Sequence, residues 1–284
     1  MEFLNYINAL ILGVIEGITE WLPISSTGHL ILAEEFFTLK NISPEFTEMF
    51  NVVVQLGAIL AVIVLFWKKL WPFALSENKR IVAKKQTFSL WFKVIIAVLP
   101  AAIIGLPLDD WMDEHLHNPI VVAATLIIYG VAFIITENLF KNKTPKIETE
   151  NDLTYKTAFL IGCFQVLSLI PGTSRSGSTI LGGILLGASR TAAAEFSFFL
   201  AIPVMLGASL LKVLKYVMFL MESGMGFSGE RFIVLGIGMV TAFIVSVIAI
   251  KFLMSYIKKK DFKAFGWYRI VLGLLVLGYF YIVK

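Results

Sequence analysis

Residues 16–29 read EGITEWLPISSTGH, and residues 165–177 read QVLSLIPGTSRSG. Both stretches place carboxylates, hydroxyls, a histidine or an arginine within segments that are otherwise apolar. In a chain with 58% hydrophobic and 15% charged residues, such groups are costly at membrane depth unless protein surrounds them or they line a wet cavity. These stretches, called motif 1 (16–29) and motif 2 (165–177) from here on, are therefore the first candidates for function.

The composition of the chain defines its class. The mean hydropathy is +0.83, and 24 of the 284 residues are phenylalanine. Both values are typical of membrane proteins, so we predict an all-α polytopic membrane protein in a lipid bilayer. The net charge of +4 is explained by lysines that flank membrane helices, and we expect no nucleic-acid partner. The single cysteine, Cys163, excludes an intrachain disulfide and a cysteine-based zinc site.

Apolar segments long enough to cross a bilayer need roughly 17–25 helical residues. Six such segments run at 50–67, 91–108, 118–136, 196–215, 232–253 and 266–283. The segments around the two motifs are shorter and are interrupted by polar loops with proline and glycine, giving the pairs 3–22 with 28–37 and 155–170 with 178–190. We interpret each pair as a re-entrant helix-loop-helix whose loop stops partway through the membrane. The first apolar run has no basic leader and already carries Glu16, so we expect no cleaved signal peptide.

The two halves of the chain resemble one another. A common spacing of 149 positions separates Gly13 from Gly162, Glu16 from Gln165, and Gly28 from Gly177. A chance coincidence of small residues is the alternative explanation. We predict one integral membrane domain made of a first repeat, 1–150, and a second repeat, 151–284, each with a re-entrant pair and three transmembrane helices. Three crossings separate the two pairs, so the repeats have inverted topology and both motifs can meet near the midplane.

Lysine and arginine in the connections predict the orientation. One side of the membrane receives fourteen of them, in the connections 68–90, 137–157 and 254–266. The other side receives only Lys40, Lys215, Arg231 and Lys284. The richer side is predicted to be cytoplasmic in a bacterial plasma membrane. Both termini are then outside, motif 1 enters from the outer face, and motif 2 enters from the cytoplasmic face.

Glu16 and Glu20 lie four residues apart and therefore share one face of a helix. Two carboxylates this close repel each other in a medium of low dielectric constant, so they either share a proton or are compensated by a cation. A divalent cation, Mg²⁺ or Ca²⁺, held by Glu16, Glu20 and the phosphate oxygens of a substrate suits such a pair. A glutamate that only caps a helix or hydrogen-bonds locally is the simpler alternative.

Three hydroxyls precede a glycine and a histidine in motif 1: Ser25, Ser26, Thr27, Gly28 and His29. Hydroxyls and free N–H groups at a helix N-terminus bind anions, especially phosphate. Capping of the helix explains one hydroxyl but not three. His29 can activate a neighbouring hydroxyl or protonate a leaving group, and a purely structural hydrogen bond is the alternative.

Motif 2 carries a positive charge among hydroxyls and glycines. The planar fork of Arg175 can bind two phosphate oxygens at once, and an ion pair with Glu16 or Glu20 is compatible with that role. Thr173, Ser174 and Ser176 join it as candidate substrate-binding residues, together with Gln165, the counterpart of Glu16. Acid pair, hydroxyls, imidazole and guanidinium together indicate phosphoryl chemistry rather than proton transport.

The remaining polar and charged residues are expected to lie outside the site. Residues 109–117 combine acidic side chains with a His-x-His pair, and we expect a solvated outer connection there rather than a metal site. Charged residues in or near the spans are expected to extend to the interface, namely Lys93, Lys212, Lys251 and Arg269.

The two motifs are similar to the signature segments of the bacterial undecaprenyl-diphosphate phosphatases, the bacitracin-resistance family, and the similarity covers essentially the whole chain. It implies removal of one phosphate from undecaprenyl diphosphate at the outer face of the plasma membrane, which recycles the lipid carrier for cell-wall synthesis. It also implies that the acidic motif is Glu16 and Glu20, that Ser26 and His29 are the reactive hydroxyl and imidazole, and that Arg175 binds phosphate. Trp21 and Ser168 depart from the expected pattern outside this reactive set.

On this basis we expect Arg175 and the hydroxyls of Ser25, Thr27, Ser174 and Ser176 to hold the diphosphate. Ser26, assisted by His29 or Glu20, would attack the terminal phosphorus. Direct attack by water, with a glutamate as base, is the alternative route. Inverted repeats with broken helices also occur in transporters, so a lipid-phosphate flippase or transporter is the competing function. The sequence leaves open whether two copies form a homodimer.

Overall fold

The computed structural model describes residues 2–75, 81–224, 226 and 228–282, and most of them are helical. The α-helices are α1 (Glu2–Thr19), α2 (Ser26–Ala33), α3 (Pro44–Leu65), α4 (Trp67–Leu70), α5 (Lys85–Leu116), α6 (Pro119–Phe140), α7 (Tyr155–Val166), α8 (Arg175–Leu185), α9 (Arg190–Ser223), α10 (Gly229–Ile257) and α11 (Lys263–Ile282). A small antiparallel hairpin joins β1 (Phe73–Leu75) to β2 (Ile81–Ala83), with Ala74 opposite Val82. Short 3₁₀ turns lie at Glu150–Asp152 and Leu167–Leu169.

Six of the described helices are long and apolar enough to cross a membrane: α3, α5, α6, α9, α10 and α11. They confirm the six predicted spans and the class of all-α polytopic membrane protein. Helix α5 continues to Leu116, so the prediction of a loop at 109–117 is wrong, because this acidic segment adds helical turns at the end of a membrane span. The side chains of Asp109, Asp110 and Asp113 lie outside what the structure describes, as do Lys79, Arg80 and Lys284 from the charge count.

The helices that flank the motifs are short. Helix α2 has 8 residues, α7 has 12 and α8 has 11. At a rise of about 1.5 Å per residue none of these three reaches across a hydrocarbon layer of about 30 Å. Motif 1 leaves α1 after Thr19 and passes Pro23 before α2 begins, and motif 2 passes Pro171 before α8 begins. Each motif therefore breaks a helix inside the molecule.

Two close helix contacts hold these broken helices in place. Helix α1 packs against α10, where a Cβ on Gly13 would lie 2.7 Å from the carbonyl oxygen of Gly238. Helix α7 packs against α5, where a Cβ on Gly162 would lie 2.3 Å from the carbonyl oxygen of Ala97. Both glycines thus allow backbones to approach more closely than any side chain would permit.

The interior around the motifs is apolar and tightly filled. Trp21 is fully buried and meets the ring of Phe198 edge-on at 5.2 Å between centroids. Large side chains on the outer faces of the long helices are exposed instead, for example Ile103, Ile128 and Leu274. Exposed apolar helix faces of this kind are what a lipid bilayer covers.

Candidate active site

Each motif contains a serine that caps the N-terminus of the following helix, and the two caps have the same geometry. Ser25 precedes α2 with φ 74° and Ser174 precedes α8 with φ 71°, a left-handed backbone conformation that is rare for residues other than glycine. The Ser25 hydroxyl accepts a hydrogen bond from Gly28 N–H, and the Ser174 hydroxyl accepts one from Gly177 N–H. Such strain is maintained only where the surrounding structure enforces it, and it is common at binding sites. Ser25 and Ser174 therefore serve first as caps that aim two helix N-termini inward.

An ion pair joins the two motifs. Arg175 Nη2 lies 3.0 Å from Glu20 Oε1, and both side chains are largely buried. A second link is parallel to it, because the Ser176 hydroxyl donates to the Glu20 carbonyl oxygen at 3.0 Å. The residues predicted from the two distant motifs therefore come together in one place.

Of the other two nitrogens of Arg175, one donates a hydrogen bond and one has no partner. Nη1 donates to the carbonyl oxygen of Ser197 on α9 at 2.7 Å, whereas the buried Nε has no hydrogen-bond partner. The guanidinium also lies over the Trp21 ring, 5.9 Å from its centroid. The arginine is thus held in place while retaining one unused N–H that points to an anion-binding role.

Arg269 on α11 is a second arginine of the site, and it is fully buried with 0% exposure. It donates to the carbonyl oxygens of Pro23 (3.2 Å), Gly172 (2.9 Å) and Thr173 (2.9 Å), so it contacts both motifs. The expectation that Arg269 extends to the interface is wrong, because these three carbonyls hold its Nη1 and Nη2 inside the protein, and its Nε is buried without a hydrogen-bond partner. Its side chain fastens motif 1 to motif 2.

Ser26 lines a cavity of about 780 Å³. Its hydroxyl donates to Glu20 Oε2 at 3.3 Å, and Thr27 lies beside it on the cavity wall. The wall also includes Leu30, Ile31, Glu34, Glu48, Asn51, Val52, Gln55, Glu114, His117, Lys212 and Lys215. The cavity is large enough for a diphosphate group and exposes a hydroxyl that is hydrogen-bonded to a carboxylate.

His29 has both ring nitrogens engaged. Nδ1 lies 2.7 Å from the Ser25 carbonyl oxygen, and Nε2 lies 2.7 Å from the Tyr268 hydroxyl, with the two rings stacked. The Ser25 carbonyl accepts, so Nδ1 carries the proton and Nε2 accepts from Tyr268. Among the described contacts Glu20, rather than His29, is the group in hydrogen-bond contact with Ser26.

Besides Arg175, three predicted residues have buried polar atoms without hydrogen-bond partners. Both carboxylate oxygens of Glu16 (2% exposed), both amide atoms of Gln165 (1% exposed) and the Thr173 hydroxyl are of this kind. Glu16 lies next to Glu20, whose carboxylate supplies further oxygen atoms, and next to the amide of Gln55. Buried oxygen donors that lack partners fit a hard cation such as Mg²⁺ or Ca²⁺. No group of three or more histidine, cysteine, aspartate or glutamate residues is found in the described part of the chain, so substrate or water oxygens would complete the coordination.

Glu34, just beyond α2, is the half-buried acid of the cavity wall. Burial raises its pKa above the usual value, although a hydrogen bond of 2.5 Å from the Asn51 amide opposes the shift. Its protonation therefore changes the charge of the cavity at a higher pH than that of an ordinary glutamate.

The structure brings together Glu16, Glu20, Ser26, Arg175 and Ser176 as the sequence predicts. Sequence reasoning missed Ser197, Tyr268 and Arg269, which come from α9 and α11. An arginine in an apolar span was the one available signal for Arg269. Nothing in the sequence distinguishes Ser197 from other serines in a membrane helix.

Fold and site together define a polytopic membrane protein in which two broken helices meet and a polar cavity that includes Ser26 lies beside them. Residues 9–275 match the family of the bacitracin resistance protein BacA, and the chain belongs to this family. It is 61% identical to an undecaprenyl-diphosphatase of Acetivibrio thermocellus over 281 residues, covering 99% of this chain and 100% of the relative. It is 58% identical to an undecaprenyl-diphosphatase of Enterococcus faecalis over 277 residues, covering 98% of each chain.

Proposed function

We propose that this protein is a membrane hydrolase that converts undecaprenyl diphosphate and water into undecaprenyl phosphate and inorganic phosphate. It thereby recycles the lipid carrier for cell-wall synthesis and confers resistance to bacitracin. The family, and relatives with this named activity along the full chain, favour an enzyme over a flippase or transporter. The observation that carries the proposal is the Arg175–Glu20 contact, because it unites an anion-binding group with the carboxylate beside Ser26.

Substrate binding would rearrange this contact. The unused Nε of Arg175 and then its Nη2 turn to the phosphate oxygens, with the hydroxyls of Thr27, Ser174 and Ser176 nearby. Glu20 Oε1 then loses its guanidinium partner, and Oε2, which already accepts the Ser26 hydrogen bond, is in place to take the hydroxyl proton. Binding of the anion and activation of the base are thus coupled through one ion pair.

Ser26 is the proposed nucleophile. Its Oγ forms a bond to the terminal phosphorus while the bond from that phosphorus to the bridging oxygen breaks, and the proton of the hydroxyl passes to Glu20. Undecaprenyl phosphate leaves with the bonding electrons. Water then attacks the phosphoserine, releases inorganic phosphate and restores the hydroxyl. Direct attack by water, with Glu20 as base, is the second route compatible with this arrangement.

Glu16 and Glu20 would hold a divalent cation, Mg²⁺ or Ca²⁺. Such an ion would offset the negative charge of the diphosphate. The carboxylate of Glu16 supports this assignment because both of its oxygens are buried without a hydrogen-bond partner. Gln165 is assigned to substrate binding for the same reason, since its amide can both donate to phosphate and accept from water.

Arg269 and His29 act as positioning residues in this scheme. Arg269 fixes the distance between the motifs by binding carbonyls of both, so it sets where Arg175 lies relative to Ser26. His29, anchored on Tyr268, holds the Ser25 carbonyl at the start of α2 and can pass a proton to a departing group once that contact opens.

We further propose that the motifs are re-entrant and that residues 1–150 and 151–284 form an inverted repeat. Support comes from the matching caps at Ser25 and Ser174, which lie 149 positions apart. Helix pairing supports it too: α1 packs on α10 as α7 packs on α5, which a two-fold relation between the halves requires.

The orientation follows from the lysine-rich connections: the cavity with Ser26 opens outside and both termini are outside. Labelling of single cysteines in a Cys163→Ser background with a membrane-impermeant maleimide in intact cells tests this. Lys215→Cys is expected to react and Lys143→Cys is not. The reverse pattern contradicts the orientation.

The activity itself is tested with purified protein and undecaprenyl diphosphate in detergent, where no membrane gradient exists. The protein is expected to release inorganic phosphate with turnover. A pure carrier releases none under these conditions, and absence of phosphate release from correctly folded protein contradicts the proposed function.

A further inference from the structure

A second polar cavity lies at the opposite end of the molecule from Ser26. Its volume is about 580 Å³, and it is formed where α6, α8 and α10 end and α9 begins. Both cavities include residues of α9. The second cavity includes Arg190, the first residue of this helix, and the cavity with Ser26 includes Lys212, in its second half. Arg190 and Lys212 are 22 positions apart, which corresponds to about 33 Å of helix, so the two cavities open on opposite sides of the membrane.

The second cavity, called the basic pocket from here on, is lined by the cationic residues Lys141, Lys143, Lys146, Arg190 and Lys258. Its one carboxylate is that of Glu137, which is buried and already accepts hydrogen bonds from Arg190 and from the backbone N–H of Phe262. None of the four lysines has an ion-pair partner within the described residues. The lining therefore carries a net positive charge, although Asp261 interacts with Arg190 from outside the lining and Lys143 lies over the Phe140 ring, 4.4 Å from its centroid.

The pocket is held in shape by its backbone. Lys146 N–H and Ile147 N–H both donate to the carbonyl oxygen of Gly187, and the Ser189 hydroxyl donates to the Glu148 carbonyl oxygen. Arg190 is fixed on Glu137 through Nε and Nη2, which leaves Nη1 without a protein acceptor in the described structure. The connection after α6 is thus tied to the start of α9, and its lysines face a formed cavity.

The chemical character of the pocket is mixed. Its lining includes the apolar side chains of Phe140, Leu185 and Ile257, and Leu185 is exposed. The apolar spans α6 and α10 end here, at Phe140 and Ile257, so the pocket sits at the boundary between hydrocarbon and water. Basic pockets between transmembrane helices at this depth suit the headgroup of an anionic lipid, with the acyl chains against the apolar part.

We propose that the basic pocket binds the phosphate headgroup of an anionic glycerophospholipid of the surrounding bilayer. This site is separate from the hydrolytic one and does not depend on the proposed reaction. A general excess of lysine on one membrane face would require no cavity. Four lysines on the same side lie outside the pocket and provide a matched comparison: Lys85, Lys156, Lys259 and Lys260.

Native mass spectrometry in neutral detergent tests the proposal with phosphatidylglycerol and phosphatidylcholine of identical acyl chains. The wild-type protein is expected to bind phosphatidylglycerol at least about tenfold more tightly, because each lysine near the headgroup adds to the attraction. A variant with Lys141→Gln, Lys143→Gln, Lys146→Gln and Lys258→Gln is expected to lose the preference. The control variant with Lys85→Gln, Lys156→Gln, Lys259→Gln and Lys260→Gln is expected to keep it.

The proposal is overturned if wild type does not discriminate between the two lipids, or if the control variant loses the preference as strongly as the pocket variant. Glycerol phosphate and inorganic phosphate form a separate arm. If either binds as tightly as the lipid, the pocket belongs to a soluble phosphate and the lipid assignment is wrong. The single variant Lys146→Glu is expected to weaken the preference for phosphatidylglycerol with only one change. An unaltered thermal unfolding midpoint verifies that this variant is folded.

Discussion

Arg175 Nη2 lies 3.0 Å from Glu20 Oε1, although 155 residues separate the two positions along the chain. Glu20 belongs to motif 1 and Arg175 to motif 2. The contact therefore forms only when the two motifs are folded against each other. Since Glu20 also accepts the hydrogen bond of Ser26, a change at Arg175 reaches the proposed nucleophile through one carboxylate.

Replacement of Arg175 by alanine is expected to lower kcat/KM by about 100- to 1,000-fold, as for other groups that stabilise charge in a transition state. Arg175→Lys keeps the charge but cannot contact Glu20 and the Ser197 carbonyl at once, so an intermediate loss is expected. Initial rates of phosphate release measure both. Arg231→Lys, at a residue bound to Tyr216, is the control and should match wild type.

Ser26→Ala removes the proposed nucleophile and should reduce kcat by roughly 1,000-fold or more. The measurement is single-turnover phosphate release, combined with acid quenching to trap a phosphoserine in the wild-type protein. Ser89→Ala removes another hydrogen-bonded hydroxyl, on α5, and is expected to have little effect. Near-normal turnover of Ser26→Ala would instead support direct attack by water.

Arg269→Lys and Arg269→Met test the positioning role. Misplacement by about 1 Å can cost 100-fold in rate, so kcat is expected to fall by about this factor in Arg269→Met while KM changes little. Arg269→Lys retains the charge and part of the carbonyl contacts, so partial rescue is expected. A fall in activity that only parallels loss of folded protein, measured as the thermal unfolding midpoint, would make Arg269 purely structural.

Removal of divalent cations is expected to abolish phosphate release, and Mg²⁺ or Ca²⁺ should restore it. Glu16→Gln should raise the cation concentration needed for half-maximal activity by at least about 10- to 100-fold, because that is the cost of losing a residue that only supports a metal ligand and Glu16 is a proposed ligand itself. Glu45→Gln is the matched control, because Glu45 also has a buried oxygen without a partner but lies outside the site. Full activity after exhaustive chelation would refute the cation.

The raised pKa of Glu34 gives KM a pH dependence. When this acid ionises it adds a negative charge beside the anionic substrate, so KM should rise with pH above the usual glutamate range. Glu34→Gln should lose that component, and Glu222→Gln, at an exposed residue outside the cavity, should retain it. Identical KM profiles for wild type and Glu34→Gln would exclude a role for Glu34 in the charge of the cavity.

The spans and the polar residues of the site could be predicted from the sequence, because length, hydropathy and the cost of burying charge act locally. Contacts that depend on packing could not. Arg269 has the same sequence context whether its side chain extends to the interface or turns inward to three carbonyls. His29 likewise could have faced Ser26, and only the position of α11 directs it to Tyr268.

The central claim is that two distant motifs form one hydrolytic site. A double-mutant cycle in kcat/KM with Glu20→Gln, Arg175→Met and the combined variant tests it most directly. Residues that act as a unit are strongly non-additive, so the double variant should be scarcely slower than the more damaged single variant. Losses that simply multiply, as for independent positions, would contradict a shared site.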